Sequence, residues 1–281
     1  YAETVDNDTS PAQYKLDGEW KPLEVRIDSV RGPRGVLLAI DTLRFTHRGP
    51  LVRNGSAWLS VRWTPFEGRG GEEFLRLDRA TSAGEWLSAW ESYVAPAQNG
   101  VVADRAGTIA IRSTGRFPVR PGDGRGDEIR DGSVSASDWT GYVPVGSYPF
   151  SLNPKQGFLA SANQQPVDPR ANGRYFGSNW LSPWRAMRIN QLLRSDSSVT
   201  PDAMRLFQTD PGSPRADAFV PLLLAAAAGR PEAAKAAALL AEWDRRYTRE
   251  NRRAVLFEAV MSELYGLVWD ELTRPAKASD S

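Results

Sequence analysis

The chain has 281 residues, of which 41% are apolar and 25% are charged, and its formal net charge is +1. These are values of an ordinary globular protein, and the near-zero charge argues against nucleic acid or an anionic membrane as a required partner. The chain contains no cysteine and a single histidine, which excludes disulfides, zinc–thiolate sites and a cysteine nucleophile.

The first half of the chain is patterned mainly as β-strands. Branched and aromatic residues are concentrated at 20–30, 36–46 and 57–63, and each of these segments predicts a strand. Residues 82–93 (SAGEWLSAWESY) instead place large apolar side chains at helical spacing and predict a helix.

A hairpin and a long loop follow this helix. Residues 99–103 and 108–112 flank the turn-forming sequence DRAG and predict paired strands. Residues 116–148 are dense in Gly, Pro, Asp and Ser, and loops of this length are typical of functional or disordered regions. We expect Trp139 and Tyr142 to anchor this loop, and we predict a short strand at 157–161 (GFLAS).

The second half is patterned as helices. Three of them begin with Pro directly after a Ser or Thr that can cap the helix, because the first helical N–H needs no partner. In the last helix Leu256, Val260, Leu264 and Leu267 form one apolar stripe. We expect a mainly β part at 1–180 and a mainly helical part at 181–281 packed on it. The predicted helices are 183–194, 201–208, 214–228, 231–247 and 252–272.

The length of the most apolar stretch bears on membrane insertion, and the identity of the first residue bears on processing of a precursor. The most apolar stretch, 219–228, is far shorter than the roughly 20 residues that span a bilayer, so we expect no membrane segment. The first residue is Tyr1 rather than Met, and we therefore expect a processed, nicked or truncated polypeptide.

Motif searches return little that is specific. His47 lies where a strand ends before a Gly-Pro turn, which favours a structural or solvent-facing role over catalysis. No phosphate-binding loop or dinucleotide fingerprint is present. The acidic pairs Glu72-Glu73 and Asp127-Glu128 could form a glycosidase pair, but their spacing favours solvated surface. The tripeptide Arg125-Gly126-Asp127, which adhesion receptors bind, is interpreted as an accidental match in a Gly-rich loop. Motifs alone predict an α+β protein and nothing further.

Several segments are more informative when they are taken together. They are residues 14–25 (YKLDGEWKPLEV), 46–51 (THRGPL), 103–119 (ADRAGTIAIRSTGRFPV), 138–142 (DWTGY) with 154–163 (PKQGFLASAN), and 184–193 (WRAMRINQLL). In their order and spacing these segments resemble the β-chain of the penicillin acylases over most of the chain.

This resemblance implies part of an N-terminal-nucleophile (Ntn) hydrolase fold, an αββα sandwich, with a helical elaboration. Family members cleave linear amides with a serine that self-cleavage of a zymogen exposes at the start of the β-chain. The α-amino group of that serine acts as the base, so no histidine is required, which agrees with the composition here.

The resemblance also implies two site residues. Asn163 matches the asparagine of the family's oxyanion hole, where a side-chain amide stabilises the developing alkoxide. Arg185 matches the arginine that organises this asparagine and the amine of the nucleophile. Arg185 shares a helical face with Ile189 and Leu192, so we expect its guanidinium to point toward packed surface.

Departures from the family pattern set further expectations. Position 1 is Tyr, so we expect the serine upstream, in an N-terminal part of the β-chain, with the family's α-chain as a further partner. The chemistry requires no cofactor. A structural calcium ion is left open, but Arg174 stands where some members have a ligating Asp, and Asp127 stands where they have a Pro.

The substrate and the activity are left with alternatives. The acyl group of the expected small-molecule amide could be phenylacetyl, as in the antibiotic penicillin G, or glutaryl, or a fatty chain from a homoserine lactone. The enzyme is thus a penicillin-acylase-like amidase or an acyl-homoserine lactone acylase of the same fold. A catalytically inactive binding scaffold is the alternative from another class. The family resemblance implies a periplasmic or secreted location.

Overall fold

A computed structural model describes residues 1–68, 71–168, 170 and 173–273 of the chain. It divides into two compact units. The first comprises Tyr1–Leu159 with Gln165–Trp180, and the second comprises Ala160–Gln164 with the chain from Leu181 onward. Strands and short helices make up the first unit, whereas the second is helical, so the chain as a whole is α+β.

A five-stranded antiparallel sheet dominates the first unit, with the strand order β1-β7-β6-β5-β4. A separate hairpin of β2 and β3 supplies Tyr14, which packs with Leu23 and Leu51 in a small core. The strands predicted at 20–30, 36–46 and 57–63 are confirmed, although the first is divided in two and the third ends earlier. The strands are β1 (Ala2–Glu3), β2 (Gln13–Leu16), β3 (Glu19–Pro22), β4 (Glu24–Arg31), β5 (Leu37–Thr46), β6 (Gly49–Asn54) and β7 (Ala57–Ser60).

Strands β4 and β5 form a long hairpin whose side chains are exposed along most of its length. On it Ile27 is 73% exposed, Leu38 is 65% exposed and Ile40 is 62% exposed. Among the described residues, strand β4 is the edge of the sheet, because β5 is its one neighbour in the sheet order. This hairpin therefore presents apolar residues on an unpaired edge.

A second sheet, with the order β12-β9-β8, carries the predicted hairpin and packs against the helix at Ala83–Ala89. The helix predicted at 82–93 is confirmed: Ser82 caps it by accepting from the Glu85 N–H, and a 3-10 turn at Trp90–Ser92 extends it. Trp90 packs edge-to-face against Trp86 and Tyr93. These elements are α1 (Glu72–Arg79), α2 (Ala83–Ala89), β8 (Gln98–Ala103), β9 (Ile109–Thr114) and β12 (Phe150–Leu152).

The long loop at 116–148 is anchored by aromatic residues, as predicted. Two short strands within it, β10 (Pro118–Val119) and β11 (Gly141–Tyr142), pair antiparallel. The Trp139 ring lies 4.4 Å from the Arg62 guanidinium and 5.4 Å from that of Arg120.

The strand predicted at 157–161 is wrong. Strand β12 occupies the edge of β9 instead, and the turn that follows closes with the Gly157 N–H donating to the Pro154 carbonyl. Residues 158–161 then run without a strand partner in the part of the chain that the structure describes.

The second unit is a group of helices around one apolar core. Thr200 and Ser213 cap helices that begin with Pro, as predicted. The third predicted start is wrong, because that helix begins at Trp184 with Pro183 at its N-cap and no side-chain cap. The helix predicted at 231–247 ends earlier, at Ala241, after a 3-10 turn at Pro231–Ala233. The helices are α3 (Trp184–Ser195), α4 (Pro201–Gln208), α5 (Pro214–Ala227), α6 (Ala234–Ala241), α7 (Arg253–Val268) and α8 (Asp270–Thr273).

The buried face of α7 lies beside the predicted stripe. Phe257 and Met261 are fully buried with Val220 and Trp243, whereas Leu256 and Leu264 only flank this core and Leu267 is 76% exposed. The larger Phe and Met side chains occupy the centre of the face, which moves the buried stripe by one position. Among the described residues, no helix has both the length and the apolar character needed to cross a bilayer.

Candidate active site

The segment that carries Asn163 is held by its backbone. Asn163 has a φ of 61°, a left-handed conformation that asparagine tolerates better than most residues. Its carbonyl accepts from the Leu181 N–H at 3.0 Å, and the Ala162 N–H donates to the Gln164 side chain at 2.7 Å. A turn conformation therefore fixes Asn163, rather than the end of a strand as the sequence had suggested.

Arg185, in the first turn of α3, binds this segment directly. Its Nη2 donates to the Ala162 carbonyl at 2.8 Å and to Asn163 Oδ1 at 2.6 Å. A single guanidinium nitrogen therefore ties the Asn163 side chain to the backbone of the preceding residue. The structure brings the two predicted site residues together.

This contact decides the orientation of the Asn163 carboxamide. A guanidinium group has donors but no acceptor, so the amide atom that faces Arg185 must be the oxygen. The Nδ2 group consequently points away from Arg185, and it makes no hydrogen bond within the described residues. The arrangement leaves two N–H donors free to bind an anionic oxygen.

The expectation that Arg185 points toward packed surface is wrong for the described residues. Arg185 and Asn163 are both exposed, although Ile189 and Leu192 are half-buried on the same helical face. That face lines an open groove of about 430 Å³ between α3 and α4, rather than a closed core. Arg185, Ile189 and Leu192 do share one face of α3, as their spacing predicts, but spacing alone does not determine whether another part of the protein covers that face.

An ion-pair network that the sequence analysis missed lies at one end of this groove. The Asp210 carboxylate accepts from Arg188 at 2.6 Å, from Arg246 at 3.0 Å and from the Gly212 N–H at 2.9 Å. These contacts, led by Arg188, lower the pKa of Asp210 well below its usual range. Asp210 precedes a Pro-Gly turn, and the sequence signal it gives is that of an ordinary turn residue.

His47 has structural partners on both ring nitrogens. Its Nδ1 lies 3.0 Å from the Tyr14 hydroxyl and its Nε2 lies 3.0 Å from Asp138 Oδ2. No serine of the described chain contacts the ring, so these residues contain no Ser-His-Asp arrangement. The structural role predicted for His47 is confirmed.

Asp138 is also bound by Arg48, whose side chain is fully buried. Arg48 Nε donates to Asp138 at 2.7 Å, and its Nη1 donates to Glu3 at 3.0 Å and to the Gly132 carbonyl at 2.7 Å. Arg48 thus holds the 132–138 part of the long loop against β1.

The residues present do not suit the family's calcium ion. Both oxygens of Asp127 accept hydrogen bonds from Arg125, and Arg174 has no oxygen on its side chain to offer a cation. Nowhere in the described ranges do three or more acidic or histidine side chains cluster as a metal site would require.

Comparisons with known proteins show the family to which this chain is similar. The family model described as penicillin amidase matches residues 1–280. Acyl-homoserine lactone acylase QuiP of Pseudomonas fluorescens is 29% identical over 205 residues, which cover 69% of this chain and 24% of that protein. The protein of the same name from Pseudomonas putida is 30% identical over 198 residues, covering 68% of this chain and 24% of its own length.

The chain is also similar to two penicillin G acylases at lower sequence identity. Penicillin G acylase of Escherichia coli is 23% identical over 225 residues, which cover 78% of this chain and 26% of that enzyme. The solved structure of a thermostable penicillin G acylase from Alcaligenes faecalis superposes with a TM-score of 0.82 at 19% identity, covering 98% of this chain and 52% of that one. The chain spans about a quarter of the length of the curated relatives it matches. Because the family model extends over nearly every residue, the chain belongs to the penicillin amidase family.

Proposed function

We propose that this chain is part of an amide hydrolase with an N-terminal serine nucleophile, in which Asn163 supplies the side-chain donor of the oxyanion hole. The observation that carries the proposal is the contact between Arg185 Nη2 and Asn163 Oδ1, because it leaves the Asn163 N–H groups free. The proposal includes the αββα sandwich of this enzyme class, with the serine supplied by polypeptide outside residues 1–281.

The proposed reaction proceeds through an acyl-enzyme. The serine Oγ bonds to the amide carbon while its proton passes to the α-amino group of the same residue, and the carbonyl oxygen becomes an alkoxide. Asn163 Nδ2 and a backbone N–H donate to that alkoxide. The alkoxide collapses, the C–N bond breaks, and the leaving amine takes the proton. Water then attacks the ester, which releases the carboxylic acid and restores the serine.

Penicillin G and an acyl-homoserine lactone are the two candidate substrates. The lactone is favoured by the sequence identities, which are 28–30% to lactone acylases and 23% to a penicillin G acylase. Both reactions break a linear amide bond, so the proposed role of Asn163 is common to them. Rates with N-dodecanoyl homoserine lactone and with penicillin G, measured on one preparation, decide between the two substrates.

The substitution Asn163→Ala in the intact protein tests the proposal. Loss of one oxyanion donor costs roughly 2.7–4 kcal/mol of transition-state stabilisation, equivalent to a kcat lower by about 10²–10³-fold. Gln98→Ala is the matched control, because it removes an exposed amide side chain on β8 in the first unit. Full turnover by the Asn163→Ala protein would overturn the assignment.

A catalytically inactive scaffold remains the alternative from another class. Intact mass and N-terminal sequencing of every chain in the native protein detect a serine released by self-cleavage. Covalent labelling of that serine by phenylmethylsulfonyl fluoride indicates a working nucleophile, whereas no labelling together with no hydrolysis supports the scaffold. The family resemblance also leads us to propose a periplasmic or secreted location, which cell fractionation tests.

A further inference from the structure

A pocket of about 230 Å³ in the first unit is lined by an unusual number of cationic side chains. Four arginines face it, and Glu128 is the one carboxylate among its described lining residues. Trp139 also lines the pocket, with the Arg62 and Arg120 guanidinium groups near its ring. The arginines are Arg62, Arg120, Arg125 and Arg130.

Arg125 has its charge balanced by neighbouring acids. It makes two hydrogen bonds to Asp127, at 3.0 and 2.9 Å, and lies 3.4 Å from Glu128. The acidic lining residue is therefore already engaged, and it does not neutralise the rest of the pocket.

Arg62 and Arg130 are only weakly paired. Arg62 lies 3.3 Å from Glu67, and Arg130 lies 3.5 Å from Asp123 while donating to the Arg125 carbonyl at 3.0 Å. Arg130 Nε is buried and has no hydrogen-bond partner in the described part of the chain. A buried donor without an acceptor carries a free-energy cost that a ligand can remove.

Arg120 has no counter-ion among the described residues. Its guanidinium makes neither a hydrogen bond nor an ion pair with them. It packs against Gly126 and lies near the rings of Trp139 and Tyr175, at 5.4 and 5.9 Å. Burial lowers the pKa of Arg120. The nearby Tyr175 and Tyr1 side chains act against this shift, and the charge of Arg130 adds to it. A half-buried cation beside a second cation favours an anion between them.

We propose that this pocket is a binding site for a small oxyanion, a carboxylate or phosphate group, held by Arg120 and Arg130 beside Trp139. A guanidinium group offers parallel N–H donors that match the two oxygens of a carboxylate or phosphate. The pocket volume suits a single small group rather than a polymer. The proposal concerns residues of the first unit and does not depend on the proposed function of Asn163.

Isothermal titration of the intact protein with sodium phosphate, at constant ionic strength in a chloride background, tests the site. We expect saturable binding to the wild-type protein and binding at least about tenfold weaker with Arg120→Met, since one charged hydrogen-bonding partner is lost. Arg205→Met is the matched control, because it removes one exposed arginine, paired with Asp202, from the second unit. Absence of saturable binding to the wild-type protein, or an equal loss in the control, would overturn the proposal.

Two further variants guard against misfolding as the cause of lost binding. Arg120→Lys keeps the charge but loses the parallel donors, so we expect affinity between those of the wild-type and Arg120→Met proteins. Arg130→Met should weaken binding independently, and circular dichroism of each variant should match the wild-type spectrum. Unchanged affinity in both Arg120→Lys and Arg130→Met would contradict the proposed geometry.

Competition identifies which oxyanion the site accepts. Displacement of phosphate by acetate or succinate assigns a site that takes carboxylates. Phosphate binding that neither acid displaces assigns a phosphate site. Either result supports the pocket, provided that it is lost with Arg120→Met.

Discussion

Arg185 Nη2 lies 2.6 Å from Asn163 Oδ1 and 2.8 Å from the Ala162 carbonyl, so one nitrogen fixes both a side chain and its adjoining peptide. The contact separates two properties of position 163 that mutation can vary independently. One is the acceptor that binds Arg185, and the other is the donor that faces away from it.

Asn163→Asp changes the donor while keeping the acceptor. The carboxylate should still bind Arg185, so we expect thermal stability equal to or above that of the wild-type protein. Its missing N–H and its negative charge should lower kcat by at least the 10²–10³-fold expected for Asn163→Ala. Steady-state kinetics and thermal unfolding check the two parts. Activity retained in Asn163→Asp would show that no amide donor is needed.

Arg185→Lys tests the positioning role of the guanidinium. An ammonium group can reach either the Ala162 carbonyl or Asn163 Oδ1 but holds the pair less rigidly, because it lacks the planar fork. For Arg185→Lys we expect kcat to fall by about tenfold, with KM changed much less. For Arg185→Met we expect a larger fall in kcat. Arg194→Lys, at an exposed position in the last turn of α3, is the control. If Arg185 has only a structural role, both variants should unfold at a lower temperature, but kcat should not decrease in the order wild type, Arg185→Lys, Arg185→Met.

Asp210→Asn should destabilise the second unit in a pH-dependent way. The lowered pKa of Asp210 means that the folded state favours the carboxylate, so its contribution is fully present above the unfolded value of about 4 and is lost as the pH falls through the lowered pKa. We expect Asp210→Asn to cost about 2 kcal/mol at pH 7, and the difference to shrink as the pH is lowered from 5 toward 2. Denaturant unfolding across this range measures it. A difference that stays constant with pH would contradict the ion-pair explanation.

Arg48→Met should be among the most destabilising substitutions in the first unit. Both Arg48 and Glu3 have fully buried side chains, and removing one partner of a buried pair costs roughly 3–5 kcal/mol. The double variant with Glu3→Gln should recover part of this loss, because it removes the unpaired buried charge. Thermal unfolding of the two single variants and the double variant checks this. Strict additivity would mean that the two side chains do not interact.

The sequence predicted the positions of many helices and strands, but it predicted less well which strands pair and which side chains are buried. Pro after Ser or Thr located the beginnings of α4 and α5, because capping is a local property. The error at 157–161 and the shift of the buried stripe on α7 arose where the outcome depends on what packs alongside, which one segment cannot show. Strand β6 and helix α1 were not predicted, since both are short and lack a marked period.

In the candidate site too, features with a local sequence pattern were predicted, whereas features that depend on distant residues were not. The resemblance of residues 154–163 and 184–193 to the family pattern brought Asn163 and Arg185 forward, and the structure places them in contact. The exposure of Arg185, the Asp210 network and the arginine pocket depend on side chains far apart in sequence, so local patterns gave no signal for them.

The β4–β5 hairpin has a practical consequence for anyone who purifies these residues alone. Its residues 36–40 (VLLAI) are apolar and have high β-propensity, and the neighbouring strand β4 has a free edge among the described residues. Segments of this kind tend to pair with strands of other molecules. A fragment limited to residues 1–281 should therefore form concentration-dependent oligomers during size-exclusion chromatography, and Ile27→Lys with Ile40→Lys should return it to a single retention volume.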